Sequence, residues 1–196
     1  MLLAAMAVAT ARCSSDDDND APGRGTGDSP IEMKFASGEV TIDDYERNIG
    51  RFSLYLESSD TGYYDNASVS GTRAFEPKYE DIIITFFSEL TEDRRSFPKS
   101  GTYRVSHSEE KMTFLPGYWE YDEEDGEKYI DGSAYLYAEN FYETGMEFIN
   151  GGMFTIEATG NSNYIVTTSL ITDKGRKLHF RYSGWIAFDI DFYPEE

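Results

Sequence analysis

Arg51-Phe52-Ser53-Leu54-Tyr55-Leu56-Glu57 alternates without a break, with Phe52, Leu54 and Leu56 on one face and more polar side chains on the other. A period of two is the signature of a strand half immersed in a core. Downstream, Ile82-Ile83-Ile84-Thr85-Phe86-Phe87 is apolar on both faces, as a strand covered on both sides requires. Gly101 to Ser106 begins a further strand after the turn residues Pro98-Lys99-Ser100, and others fit 118–123, 128–138, 151–158, 163–172 and 176–188. Between them stand Asp125-Gly126, Asn150-Gly151-Gly152, Gly160-Asn161 and Lys174-Gly175, all hairpin-turn chemistry. Ile42 to Asn48 is the one segment with room for a short helix, and its apolar spacing is poor.

Many short strands with hairpin turns between them predict an all-β domain over residues 31–196. It should be an antiparallel β-sandwich or a lipocalin-like β-barrel of about 8–10 strands. The helical crossovers of a parallel α/β sheet are missing. The 196 residues suit one domain plus a short tail. Fifteen tyrosines and 13 phenylalanines are more aromatic side chains than a disordered acidic chain carries. A net charge of −20 would repel a phosphate backbone, so nucleic acid is not an expected partner. A single cysteine excludes an intrachain disulfide and any multi-cysteine metal site.

Residues 1–12 read as a secretory signal: Met1 to Ala11 is a small apolar run, too short to span a bilayer. Cys13 follows directly, then the acidic run Ser14-Ser15-Asp16-Asp17-Asp18-Asn19-Asp20 and a Gly- and Pro-rich stretch to Pro30. Residues 13–30 thus form a self-repelling, flexible tether. The order of apolar run, cysteine and acidic run resembles the surface-exposed lipoproteins of Bacteroidetes. The resemblance implies acylation of Cys13 and an export signal in Asp16, Asp17, Asp18 and Asp20, leaving the domain lipid-anchored on the outer membrane and exposed at the cell surface. From Gly152-Met153-Phe154-Thr155-Ile156 through Tyr182-Ser183-Gly184-Trp185-Ile186, the hairpin series across residues 98–188 is similar to all-β members of that group, most of which have no assigned activity.

Chemistry is sparse in the sequence. Of two histidines, His107 ends a strand and His179 shares its outward parity with Lys177 and Arg181, so neither is set beside a nucleophile. Trp119 to Glu147 holds ten acidic residues against one basic residue, Lys128. Aligning Gly126 with the glycine of an EF-hand loop puts Tyr121 and Gly132 where acidic ligands are required, so Asp122 to Gly126 reads as a hairpin tip and not a calcium loop. No catalytic residue, metal or cofactor is expected. Exposed aromatics are the better clue. If Ala134 and Leu136 face the core, Tyr129, Tyr135 and Tyr137 project together; Trp185 likewise shares a face with His179, Arg181 and Ser183. Flat rings beside hydrogen-bonding groups suit sugar rings, although tyrosine also favours strands for packing alone, and Trp119 fits the core equally well.

The expected function is therefore non-catalytic ligand binding at the outer-membrane surface, with a glycan or a protein as ligand. The alternatives are a structural or adhesive subunit that pairs strand edges with a partner, and a carbohydrate-active hydrolase or lyase using paired carboxylates.

Overall fold

The computed structural model describes residues 29–44, 48–58, 79–90, 97–122, 126–140 and 143–191. The chain is all-β. Its strands are β1 (Ile31–Glu32), β2 (Phe35–Asp44), β3 (Ile49–Glu57), β4 (Tyr79–Glu89), β5 (Gly101–Val105), β6 (Thr113–Phe114), β7 (Tyr118–Tyr121), β8 (Lys128–Asp131), β9 (Ala134–Asn140), β10 (Glu143–Gly160), β11 (Asn163–Thr172), β12 (Lys177–Leu178), β13 (Phe180–Trp185) and β14 (Phe188–Asp191). Twelve of them form one sheet; β7 and β8 pair only with each other.

Two long strands change partner midway, and this closes a ring. The 18-residue β10 pairs β9 through Glu143–Phe148 and β5 through Met153–Ile156. Opposite it, β4 pairs β9 through Tyr79–Ile83 and β6 through Phe86–Phe87, and β5 pairs β6. The circuit β4–β9–β10–β5–β6 is thus a five-stranded barrel. Each long strand carries a wing on its other side: β3, β2 and β14 beside β4, and β11, β13 and β1 beside β10. The chain runs from β1 on one wing into β2 on the other, and from β13 into β14 in the same sense. These crossings produce short parallel pairings, β1 with β13 and β14 with β2, in a fold otherwise dominated by antiparallel ladders.

Alternation fills the interior. Phe52, Leu54 and Leu56 of β3 are fully buried, in register with Phe86, Ile84 and Ile82 of β4. Phe86 stacks on Phe52 at 5.2 Å and meets Phe154 edge-on at 5.1 Å; Tyr103 stacks on Phe154 at 4.8 Å. The Tyr103 hydroxyl donates to the Lys99 carbonyl at 2.6 Å, which lets a phenol sit among phenyl rings without a stranded polar atom.

Three expected boundaries are corrected. Ile42 to Asp44 belong to β2, with a bulge between Thr41 and Asp44, and not to a helix. The strand expected over 128–138 is two, because Gly132 (φ +79°) breaks it; a Cβ there would lie 2.2 Å from the Pro116 carbonyl oxygen. The strand expected over 151–158 starts eight residues earlier and bends past Gly152 (φ +98°), where a Cβ would lie 2.1 Å from the Ser169 carbonyl oxygen. The fourteen strands among the described residues exceed the expected number because the division at Gly132 adds one and three more, β1, β6 and β12, are two-residue pairings visible only through their partners.

Candidate functional site

The outer faces of β3 and β4 point away from the aromatic interior. Arg51, Ser53, Tyr55 and Glu57 project from β3; Asp81, Ile83 and Thr85 project from β4. The β7–β8 hairpin folds over this face and is pinned to it at its base. The Thr85 backbone N–H donates to Ser133 Oγ at 3.2 Å, and Thr85 Oγ1 donates to the Gly132 carbonyl at 3.0 Å. The left-handed Gly132 that interrupts the strand makes this fold-over possible. Between sheet and hairpin lies a cleft of about 360 Å³, with Tyr129, Ile130 and Asp131 of β8 as its second wall. That volume is in the range of small-molecule sites.

One charged group fixes the hairpin across the cleft. Asp131 receives the Arg51 guanidinium, the Tyr118 hydroxyl at 2.6 Å and the Gly132 N–H at 2.7 Å. Burial alone would raise the Asp131 carboxyl, but the Tyr118 bond and the Arg51 charge outweigh it and hold it below the ordinary range. The same bond, made by the neutral phenol to a carboxylate, pushes Tyr118 up to about 12.

Glu57 and Asp81 sit opposite each other in the β3–β4 ladder, on the cleft side. Asp81 is 8% exposed, and its Oδ1 is buried without a hydrogen-bond partner. Burial and then the Glu57 charge raise its carboxyl from 3.8 to about 7, against the opposing Ser58 backbone N–H. Burial also raises Glu57. Of the three carboxyl groups in the cleft, Asp131 is thus held charged, Asp81 is raised to about 7 and Glu57 is raised.

The hairpin carries a group of aromatics open to solvent: Tyr118, Trp119, Tyr121 and Tyr129. Trp119 is 51% exposed and rests edge-on against Phe148 at 5.6 Å, so it is not a core side chain. Tyr129 is where exposed aromatics were expected, but its proposed companions are elsewhere. Tyr135 is 1% exposed and packs in the core; Tyr137 is half-buried and stacks on Tyr135 at 5.2 Å. The turn at Gly132 severs the parity between position 129 and positions 135 and 137. Arg176 lies over both inner rings, 5.8 Å from Tyr135 and 5.1 Å from Tyr137, while donating to the buried Glu147 at 2.9 Å. This is a structural cluster inside the fold.

The second expected surface keeps its geometry. His179, Arg181, Ser183 and Trp185 face outward from the β12–β13 segment. Trp185 is 59% exposed, opposite Asn163, and Arg181 Nη1 lies 3.4 Å from Glu32 Oε1. They belong to the wing beside β10 and do not line the cleft. His107 is exposed in the loop after β5. Gly126 (φ +75°) closes the β7–β8 tip, its N–H donating to the Asp122 carbonyl at 3.0 Å, as the hairpin reading of Asp125-Gly126 requires; Asp125 itself lies outside the described residues. Cys13, Asp16, Asp17, Asp18 and Asp20 also lie outside them.

Sequence reasoning missed Arg51, Glu57, Asp81 and Tyr118. Arg51 and Glu57 were visible as the polar face of the strand that decides the fold, but nothing local ties Arg51 to Asp131, 80 residues on. No known protein family, curated protein or solved structure matches the chain.

Proposed function

We propose that this chain is a lipid-anchored surface protein that binds a glycan without transforming it, using the cleft under the β7–β8 hairpin. The supporting observation is the grouping of four exposed aromatics, Tyr118, Trp119, Tyr121 and Tyr129, on one hairpin, with Tyr129 lining the cleft beneath it. Sugar C–H faces stack on such rings, and Glu57, Asp81 and Ser53 offer hydrogen-bonding groups to the hydroxyls. The hairpin is held rigidly by the Arg51–Asp131–Tyr118 contacts, so little ordering remains to be done on binding. Cys13, following an apolar run and preceding the acidic tether, supports anchoring; several acyl chains hold a membrane durably where one does not.

The full chain screened on a glycan array should retain a discrete set of sugars. Trp119→Ala and Tyr129→Ala should each weaken binding about 3- to 10-fold, the equivalent of 0.5–1.5 kcal/mol for a lost ring contact. Binding unaffected by both substitutions would reject the hairpin as platform. Cys13→Ser should move the protein to the soluble fraction; retention in the membrane would reject the anchor.

A second reading is favoured by one observation: Asp81, raised to about 7, shares the cleft with Asp131, which is held low. One carboxyl that titrates near neutrality and one that stays ionised in the same cleft is the division of labour glycoside hydrolysis uses. Release of reducing ends from a bound oligosaccharide, abolished by Asp81→Asn, would replace the binding reading with this one.

A further inference from the structure

We infer that the cleft selects saccharides bearing a protonated amine over their neutral counterparts, with Asp81 and Glu57 as the pair that receives the ammonium group. This rests on the glycan-binding reading and specifies its ligand. The cleft lining contains one cation among the described residues, Arg51, and Asp131 already occupies it. Two carboxyl groups remain. Glu57 and Asp81 face each other across the ladder, and no Lys or Arg among the described residues pairs with either.

Asp81 is the sharper observation. More than nine-tenths of it is buried at the cleft wall, one side held by the Ser58 N–H, and its Oδ1 has no partner. A buried carboxylate oxygen without a donor is a standing cost that scaffold residues rarely carry. The torsion about the carboxyl group is soft, so a small rotation presents an oxygen to a donor arriving in the cleft. An ammonium brings three donors and a positive charge, which satisfies Asp81 and relieves its repulsion with Glu57 in one contact. A hydroxyl can do only the first. A divalent metal fits less well, since among the described residues no three metal-type side chains converge. Tyr55 and Tyr129, also at the cleft, supply ring faces for the sugar. The chain's net charge of −20 raises the local concentration of cations and lowers that of uronic or sulfated sugars.

The test is calorimetric titration of the full chain, at pH 6.5 and physiological salt, with three tetramers of the same β-1,4 linkage: glucosamine, N-acetylglucosamine and glucose. The glucosamine tetramer should bind at least tenfold more tightly than the other two. In Asp81→Asn, and separately in Glu57→Gln, the preference should fall to within about threefold, with the urea midpoint of each variant confirming that it is folded. Equal affinities in the unaltered protein overturn the inference and leave the aromatic platform standing. A preference that survives both substitutions also overturns it, since bulk charge then explains the selectivity. Binding of none of the three overturns the inference and counts against the platform itself.

Discussion

Replacing Asp81 by Asn removes a carboxyl group that folding forces into an unfavourable place, and the consequence is a change in the pH dependence of stability. In the native protein the group titrates at about 7; its ordinary value is 3.8. At 1.36 kcal/mol per pH unit this gap corresponds to about 4 kcal/mol as an upper limit. The effective dielectric around buried groups is well above that of dry protein, which brings the expected value to about 2 kcal/mol. The sign follows from proton binding. Between pH 4 and pH 7 the native state holds a proton on Asp81 that the unfolded state has lost, so stability falls as pH rises through that window. The full cost is present above pH 7 and absent below pH 4. Asn does not titrate, and its Oδ1 can keep the Ser58 bond. Urea midpoints should therefore place Asp81→Asn about 2 kcal/mol above the unaltered protein at pH 8, relative to the difference between the two at pH 4. A difference that is constant across this range, or that grows toward acid, would refute the assignment of Asp81 as a buried, repelled carboxylate.

Three further outcomes follow from other parts of the fold. Arg176→Ala leaves the fully buried Glu147 with only the exposed Lys174 at 3.7 Å, so it should cost about 3 kcal/mol in urea unfolding, whereas Lys174→Ala should cost under about 1 kcal/mol. Gly152→Ala forces a Cβ against the Ser169 carbonyl at a left-handed φ, and a loss of more than about 2 kcal/mol is expected, against about 0.5 kcal/mol or less for an alanine at the open, exposed position Glu157. Tyr118→Phe removes the phenol from Asp131, so carboxyl NMR should show the Asp131 titration moving up toward the ordinary carboxylate range, and Arg51→Met should move it further.

The fold was legible where burial writes itself into alternation. In β3 every second residue is buried, and β11 repeats the rule over ten residues, so both could be placed from sequence. It was illegible where a strand's identity depends on its partner. Two-residue β6 exists because Phe86 and Phe87 pair with it, and β10 reads as one strand only because β9 and β5 take successive halves of it. The site was partly legible. Tyr129 and the outward face of β13 are exposed as their alternation implies, whereas Tyr135 faces the core and Leu136, expected there, is only half-buried. Alternation carries parity only as far as the next left-handed residue, and Gly132 is such a residue. Tyr137 has its own explanation: its ring lies across Gly145, where a Cβ would sit 2.3 Å from it, so the glycine and the tyrosine are matched across the ladder and the ring is held by the sheet.

The two buried acidic side chains at the barrel wall separate scaffold from site. Glu147 and Asp81 are both on ring strands and both almost wholly inaccessible, and each has one oxygen without a hydrogen bond. Glu147 nevertheless receives Arg176 and lies near Lys174, and Arg176 is itself covered by two tyrosine rings. Its charge is balanced within the fold by Arg176, and removing that partner should cost stability alone. Asp81 has the reverse arrangement. No described cation pairs with it, a second carboxylate stands opposite, and it borders the cleft that the aromatic hairpin overhangs. Asn there would keep the Ser58 bond without the buried charge and would make the domain more stable above pH 7. A local choice that opposes the stability of its own fold is expected where a sequence answers to something other than folding, and here that choice lines the same cleft as the exposed Tyr129. The same substitution, Asp81→Asn, should therefore raise stability and lower selectivity together. A variant that gained stability yet kept its preference for an amine would separate the two and locate the ligand's charge elsewhere.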